Sequence, residues 1–432
     1  MLNFKKINDM ETYATALSYA IPGFILLILA EYIISRWKGV EVNEGMDTIS
    51  SISSGITNTL KSLVGLSLII ISYEWMVDRI ALIEIKSTVL VYILTFIGLD
   101  FAGYWSHRFN HTVNLFWNRH IIHHSSEEFN LACALRQNVS AIVAIYFFLY
   151  IPLALIGIPA EVVAFVAPIH FFAQFWYHTR LIDKMGFLEY IIVTPSHHRV
   201  HHAINDEYLD KNYSEIFIVW DKLFGSFQKE LPEKPPVYGV KKPVNTWNPF
   251  LINFMHLWGI IKDAWRTRSW WDKVRIWFMP TGWRPDDVAG KYPITVTTDP
   301  YTRIKYKSDS SYLLKVWSWI QLVITVGLMY YLLISIADLE FIQIVKYTIF
   351  LAISIFAYTS LMDRHIISVY AESIKFIIGV YFILTEGWFH MENLFTSANY
   401  FVMGYLFLSL IATIYFQFIE QRKTFDLHQE IV

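Results

Sequence analysis

Residues 88–111 read TVLVYILTFIGLDFAGYWSHRFNH. From Thr88 to Tyr104 the run is apolar apart from Asp100, and it closes on His107 and His111 in an H-x3-H spacing. A bilayer core about 30 Å thick needs roughly 20 apolar residues in a helix. Residues four apart share a helix face. The stretch is therefore read as a membrane span that delivers two imidazoles to one membrane surface.

Moving outward, the histidines continue in the same style. His120, His123 and His124 form H-x2-H-H in HIIHH, and His198, His201 and His202 repeat that spacing in HRVHH, with His197 just before it. His178 stands in FWYHTR. The chain has 15 histidines, and most lie between His107 and His202. Each motif is able to aim two or three rings at one point, and all of them fall at the ends of apolar runs. Leaving eight or nine imidazoles buried without partners is costly, and shared metal ions remove that cost. Eight or more nitrogen ligands exceed what one ion takes, so a two-metal site is the expected count. Imidazole suits Fe, Zn, Cu and Ni alike, and a structural zinc site needs only four ligands. His170 reads as a packed polar residue or a partner of a ligand. His256, His365, His390 and His428 have no cluster around them. The single cysteine, Cys133, excludes a disulfide framework, a Cys-rich zinc site and a Cys-ligated iron–sulfur cluster, and reads as a packing residue.

Composition agrees with a membrane protein. Of 432 residues, 55% are apolar and only 17% charged, too few to cover a soluble fold. A net charge of −2 gives no sign of a nucleic-acid partner. Further apolar runs cover Leu17 to Trp37, Val139 to Ile156, Val162 to Tyr177, Leu313 to Ile336, Phe341 to Leu361, Ile366 to Phe389 and Tyr400 to Phe418. Leu63 to Trp75 is shorter: a span, a re-entrant segment or an interfacial helix. Gly157 and Pro159 break the pattern between two of these runs, which reads as a hairpin of two antiparallel helices. Arg180 to Ser310 holds 19 of the 35 Lys+Arg and several tryptophans, and is expected to face water and lipid headgroups. Its basic surplus, with Arg36, Lys38, Arg422 and Lys423, places that side in the cytoplasm, while Lys5 and Lys6 argue mildly the other way. The first run is long and lacks a clear small-residue cleavage site, so no signal peptide is expected. Glu372 and Lys375, three apart inside a run, are expected to pair; Glu386 lies in the same run. The expected fold is all-α: a polytopic membrane helical bundle with a cytoplasm-facing, histidine-rich di-metal core. Its segments are N-terminal membrane helices (1–87), the core (88–250), an interfacial segment (251–310) and C-terminal membrane helices (311–432).

These motifs resemble the membrane fatty acid hydroxylase and sterol desaturase superfamily, whose histidine boxes hold two irons. HRFNH, HIIHHSSEEFNLACALRQ, QFWYHTR, TPSHHRVHH, DKNY, WDKLFGSF and YGVKKPVNTWNP are similar in detail to its alkylglycerol monooxygenase family. The resemblance is specific from about Asp100 to Pro249. It implies a di-iron monooxygenase that uses O2 and tetrahydrobiopterin. The carbon next to the ether oxygen of an alkylglycerol lipid is hydroxylated, and the product falls apart to a fatty aldehyde and a glycerol derivative. The implied ligands are His107, His111, His120, His123, His124, His178, His198, His201 and His202, with His197 a tenth or a neighbour. Glu127 is implied as an activity-associated glutamate that accepts a hydrogen bond from pterin or a metal-bound water; its bland reading is a solvated residue beside Glu128. Asp100, two turns before His107, is placed to orient a ligand imidazole, to cap or to pair with an arginine. Asp221 reads as structural.

No G-x-G-x-x-G fingerprint and no haem domain are evident, so electrons are expected from an external reductant. The alternatives are a sterol or fatty-acyl hydroxylase or desaturase on the same core, and a metal transporter. Transport would put ligands along a midplane path, whereas these lie at run ends. An integral protein of a bacterial inner membrane or the endoplasmic reticulum is expected.

Overall fold

A computed structural model describes residues 2–393 and 396–420, with side chains from residue 11 onward. Arg422, Lys423, His428 and the side chains of Lys5 and Lys6 lie outside the described residues. Among the described residues, six helices are long and apolar enough to cross a membrane: Glu11–Trp37, Val89–Thr112, Tyr312–Ile334, Phe341–Met362, Ile367–Glu386 and Ala398–Glu420. Local chemistry sets several of their starts. Thr88 accepts from the Val91 N–H and Ser311 from the Leu314 N–H, so each hydroxyl satisfies an orphan donor of a first turn.

The helix Gly45–Leu63 is the element that hydropathy conceals. Its sequence is rich in serine and threonine, yet most of it is buried. The hydroxyls fold back onto the helix, as with Ser53 on the Ile49 carbonyl (2.6 Å) and Thr57 on the Ser54 carbonyl (2.7 Å). Others reach neighbours: Ser50 donates to the Trp247 carbonyl, and Ser53 meets the Tyr358 hydroxyl. Around this helix the C-terminal spans build the main apolar core, with Ile49, Leu60, Leu332, Tyr347, Phe350 and Leu406 fully interior.

Two expectations are corrected. Leu63 to Trp75 forms no continuous helix. The chain leaves Gly45–Leu63, makes the two-residue strand Leu68–Ile69 against Val143–Ala144, and starts the helix Tyr73–Ile80. The supposed antiparallel pair is also too short to span. Residues 145–155 form a 3-10 turn and the helix Ile151–Leu155, followed by Ala160–Phe172. Ala160–Phe172 packs mainly on Val89–Thr112, and Ile151–Leu155 on Tyr73–Ile80. The joint is where the expectation placed it: Gly157 adopts φ +75°, and a Cβ there would collide with the Ile83 carbonyl.

Inside the C-terminal bundle, Lys375 Nζ lies 2.6 Å from Glu372 and donates to Ser409 Oγ at 2.8 Å, so this pair closes on itself. Glu386 pairs with Lys346. Glu31, in the first span, is buried and accepts from the Leu131 N–H (2.8 Å) and the Thr179 hydroxyl (2.6 Å). One carboxylate thus ties that span to the segments around His124 and His178. Trp258, Trp265, Trp270 and Trp271 are exposed along 258–271, as suits a headgroup-level surface.

Gly157→Ala combines a left-handed backbone with a backbone collision. It should cost more than about 1 kcal/mol, seen as a lowered thermal midpoint of the protein in detergent.

Candidate metal centre and its cavities

The helix Val89–Thr112 carries His107 and His111 on its last turns and stops where Val113 turns extended. His120 precedes the short helix Ile121–His124. His178 follows Ala160–Phe172. The third box lies on Pro195–His201, which begins with Thr194 at the N-cap and proline at the first position, with His202 at the C-cap. These elements bring all nine expected histidines together in two sets. His107, His111, His120, His124 and His201 form one; His123, His178, His198 and His202 form the other. Within each set the candidate ligand atoms lie within 4.8 Å of one another. The partition interlocks the boxes. Each H-x2-H-H motif gives its i, i+4 pair to one set and its middle histidine to the other.

Backbone carbonyls fix several ring orientations. The Nδ1 atoms of His107, His178 and His201 lie 2.7, 3.0 and 3.0 Å from the carbonyls of Tyr213, Gln174 and Lys211. A carbonyl only accepts, so these Nδ1 atoms carry the proton and the Nε2 atoms carry a lone pair. Those lone pairs converge. In the four-histidine set the Nε2 separations are 2.9 Å (His178–His198), 3.0 Å (His198–His202), 3.1 Å (His123–His202) and 3.3 Å (His123–His178). In the other set, His107 and His120 approach to 2.8 Å, and Nε2 of His111, His124 and His201 is buried without a hydrogen-bond partner. Burial, and then the neighbouring imidazoles, hold His120, His124, His198, His201 and His202 well below the ordinary histidine range. Burial takes His178 down to about 3. Neutral rings with facing lone pairs repel unless a cation lies among them, so this donor set fits bound metal ions.

Around the rings lies a satisfied polar shell. Arg136 is fully buried and donates to Ser51, Ser125 and Asp47 at 3.0, 2.6 and 2.6 Å. Ser126 adds a 2.7 Å bond to the same aspartate, so the turn after His124 is locked to the helix Gly45–Leu63. Asp221 accepts from the backbone of Tyr213 and Ser214 and from Ser226, the structural role expected of it.

Several expected positions differ. Asp100 orients none of the nine histidines; it binds His170 at 2.9 Å, together with the N–H groups of Ile216, Phe217 and the Trp220 indole. His197 belongs to neither set. Its Nδ1 faces the Thr194 cap and its ring packs on Phe227. Glu127 is neither solvated nor among the nine rings: one oxygen pairs with Arg303 and the other accepts from the Tyr306 N–H at 2.6 Å. Arg303 in turn donates to the carbonyls of Tyr238 and Val240. Cys133 is a buried packing residue. Glu31, Asp47 and Arg136 carried no signal beyond being charges in polar or apolar context.

Two cavities reach the histidines. The larger, about 700 Å³, touches His111, His124 and His201 and is ringed by Lys241, Lys242, Lys262, Arg266, Arg284 and Lys291. Arg284 is held by Asp263 and Lys241 by Asp206, whereas Arg266 lies over the Tyr292 ring. The smaller, about 360 Å³, touches His107, His120, His123, His178 and His198, and Phe24, Phe171, Phe172 and Phe175 contribute to its wall. It therefore meets both histidine sets.

Residues 92–226 match the fatty acid hydroxylase family. The chain is 37% identical to alkylglycerol monooxygenase of Homo sapiens over 74% of its own length and 71% of that protein. It is 38% identical to the Xenopus tropicalis alkylglycerol monooxygenase over 66% and 62%, and 34% identical to that of Danio rerio over 69% and 67%. No solved structure matches the chain.

Arg136→Met should strand Asp47 as a buried, half-paired charge and destabilise the protein by about 3–5 kcal/mol. Asp47→Asn combined with Arg136→Met should recover much of that loss, which thermal unfolding of both variants in detergent will read.

Proposed function

The chain belongs to the alkylglycerol monooxygenase family, and from that premise we propose that it oxidises the carbon beside the ether oxygen of alkylglycerol lipids, releasing a fatty aldehyde and a glycerol derivative. As a member it is a membrane lipid monooxygenase, and its six apolar helices fit an integral, multi-pass protein. The observation that carries the finer reading is the division of nine clustered imidazoles into sets of five and four, with members of both sets lining the smaller cavity. Such sets suit two irons: His107, His111, His120, His124 and His201 hold one, and His123, His178, His198 and His202 the other. Zinc has the same taste for imidazole but no redox chemistry. Bound iron, with tetrahydrobiopterin as the family's reductant, supplies the oxygen activation that no side chain offers.

The chain's own residues do the rest. Phe24, Phe171, Phe172 and Phe175 give the smaller cavity an apolar wall that suits an alkyl tail, and Phe171 and Phe172 are themselves exposed on the apolar surface. Asn110, Gln137, Asn138 and Gln174 line the same cavity and suit glycerol hydroxyls. The larger, cation-ringed cavity suits entry of the polar reductant from the water side. Glu127 acts as an anchor in this reading: through Arg303 and the Tyr306 N–H it holds the strap 303–306 against the second box. The basic surplus of Arg180–Ser310 supports a cytoplasmic site. A transport path finds no support, since the buried midspan charges Glu372 and Lys375 are spent on each other.

Purified protein given a 1-O-alkylglycerol, O2 and tetrahydrobiopterin should form the fatty aldehyde. Aldehyde formation that persists without pterin but needs another electron donor would favour a pterin-independent hydroxylase. The metal count is a separate test: about two irons per chain are expected, falling to about one in His111→Ala and in His198→Ala, because each removes a nitrogen from a different set. Elemental analysis of purified protein checks this, and one metal or fewer in fully active protein contradicts the reading.

A further inference from the structure

One carboxylate lining the smaller cavity belongs to neither histidine set. Glu215 sits in the loop before the helix Val219–Phe224, on a cavity wall shared with His107, His120, His123, His178 and His198. Space for it is built into the histidine-bearing span. Gly103, one turn before His107, faces the carboxylate, and a Cβ there would collide with Glu215 Oε2. Gln174 Nε2 donates to the same oxygen at 3.1 Å and lies 3.3 Å from His170 Nδ1, which itself stands 3.7 Å from that oxygen. Behind His170, Asp100 receives Nε2–H at 2.9 Å.

Asp100, His170 and Glu215 have the composition of a third metal set, but their bonding speaks against one. The N–H groups of Ile216, Phe217, the Trp220 indole and His170 give Asp100 four donors. A carboxylate has about four lone-pair sites, so Asp100 has none left for an ion. What remains is a directed row: an anchored carboxylate, an imidazole, and a carboxyl group facing the cavity.

We propose that Glu215 is the proton donor of the oxidation, delivering its proton into the cavity and regaining one from His170, whose positive charge Asp100 stabilises. This rests on the monooxygenase reading above. One atom of O2 enters the C–H bond and the other leaves as water, while the reduced pterin gives up two electrons and two protons. The O–H bond of Glu215 breaks, the proton goes to the oxygen leaving as water, and a carboxylate is left. That carboxylate takes the Nδ1 proton of His170; one of the two protons the pterin releases restores His170 and the other completes the water, so the cycle closes with no net proton.

Electrostatics suit the task. Burial, with the charge of Asp100, raises the Glu215 carboxyl to about 7 against the opposing effects of His170 and Gln174. A proton donor works best when its pKa lies near the operating pH. The other titratable groups facing it are Asp100, His170, Tyr150 and Tyr177, and Arg119 and Arg136 line the same cavity. The acid form is the donor, so the rate should be full below the midpoint and fall as pH rises through it.

The test compares wild type with Glu215→Gln as full chains in detergent. In metal-free protein, the infrared difference between wild type and Glu215→Gln should contain a protonated-carboxyl band that titrates away near pH 7. In iron-loaded protein, the variant should keep its iron. It should lose about a hundred-fold in aldehyde formation, while pterin oxidation continues and hydrogen peroxide appears. Turnover and coupling within about two-fold of wild type overturn the proposal, and so does loss of iron. If wild type itself leaves alkylglycerols intact, the functional reading fails, and the infrared titration decides Glu215 alone: absence of that difference band overturns its role.

Discussion

Nine imidazole rings packed together are expensive unless they share a partner, because they have largely left water and five of them, His111, His123, His124, His198 and His201, keep a buried nitrogen without a hydrogen-bond partner. Everything near them is arranged to make that sharing possible. Carbonyls of Gln174, Lys211 and Tyr213 select the tautomers of His178, His201 and His107. Arg136 and Asp47 lock the turn after His124, and Glu31 draws the first span onto the segment beside His178. The membrane spans serve as the frame that holds these rings in register.

Much of this architecture is visible in the primary structure, because a membrane span and a histidine box both leave strong local signatures. The six long helices follow from apolar length alone. Gly45–Leu63 does not, since hydropathy scores its serines and threonines as water-loving, whereas in the folded chain their hydroxyls bond within the helix and to Trp247 and Tyr358. The residues around Gly157 mislead in the opposite direction: they are apolar enough to suggest two spans, but the 3-10 turn and short helices there reach only part of that length. A run of apolar residues reports burial or lipid contact, not how far the chain travels.

At the centre, the gathering of the histidine boxes is legible from spacing, but not the division of their rings into two sets. Helical geometry predicts that His120 and His124 act together, as His198 and His202 do. Only the packing of the two boxes against each other sends His123 and His201 across to the opposite sets. Asp100 shows the limit of one-dimensional reasoning. Seven residues from His107 suggests a supporting role for that ring, yet its partners come from His170 and from residues 216–220, far along the chain. The anchoring of Glu127 by Arg303 and Tyr306 is hidden for the same reason.

The crossing of the two boxes also bears on how the molecule is made. A chain synthesised from its N-terminus presents His107, His111, His120 and His124 early, which is four of the five members of one set. The other set then has only His123 and His178, and both sets wait for the short helix Pro195–His201 to supply the rest. The ion capture proposed above would thereby be linked to a late, long-range closure instead of to any single segment, and binding energy would become folding energy at that step. A chain lacking residues from 198 onward keeps four of the five histidines of one set and only two of the four of the other.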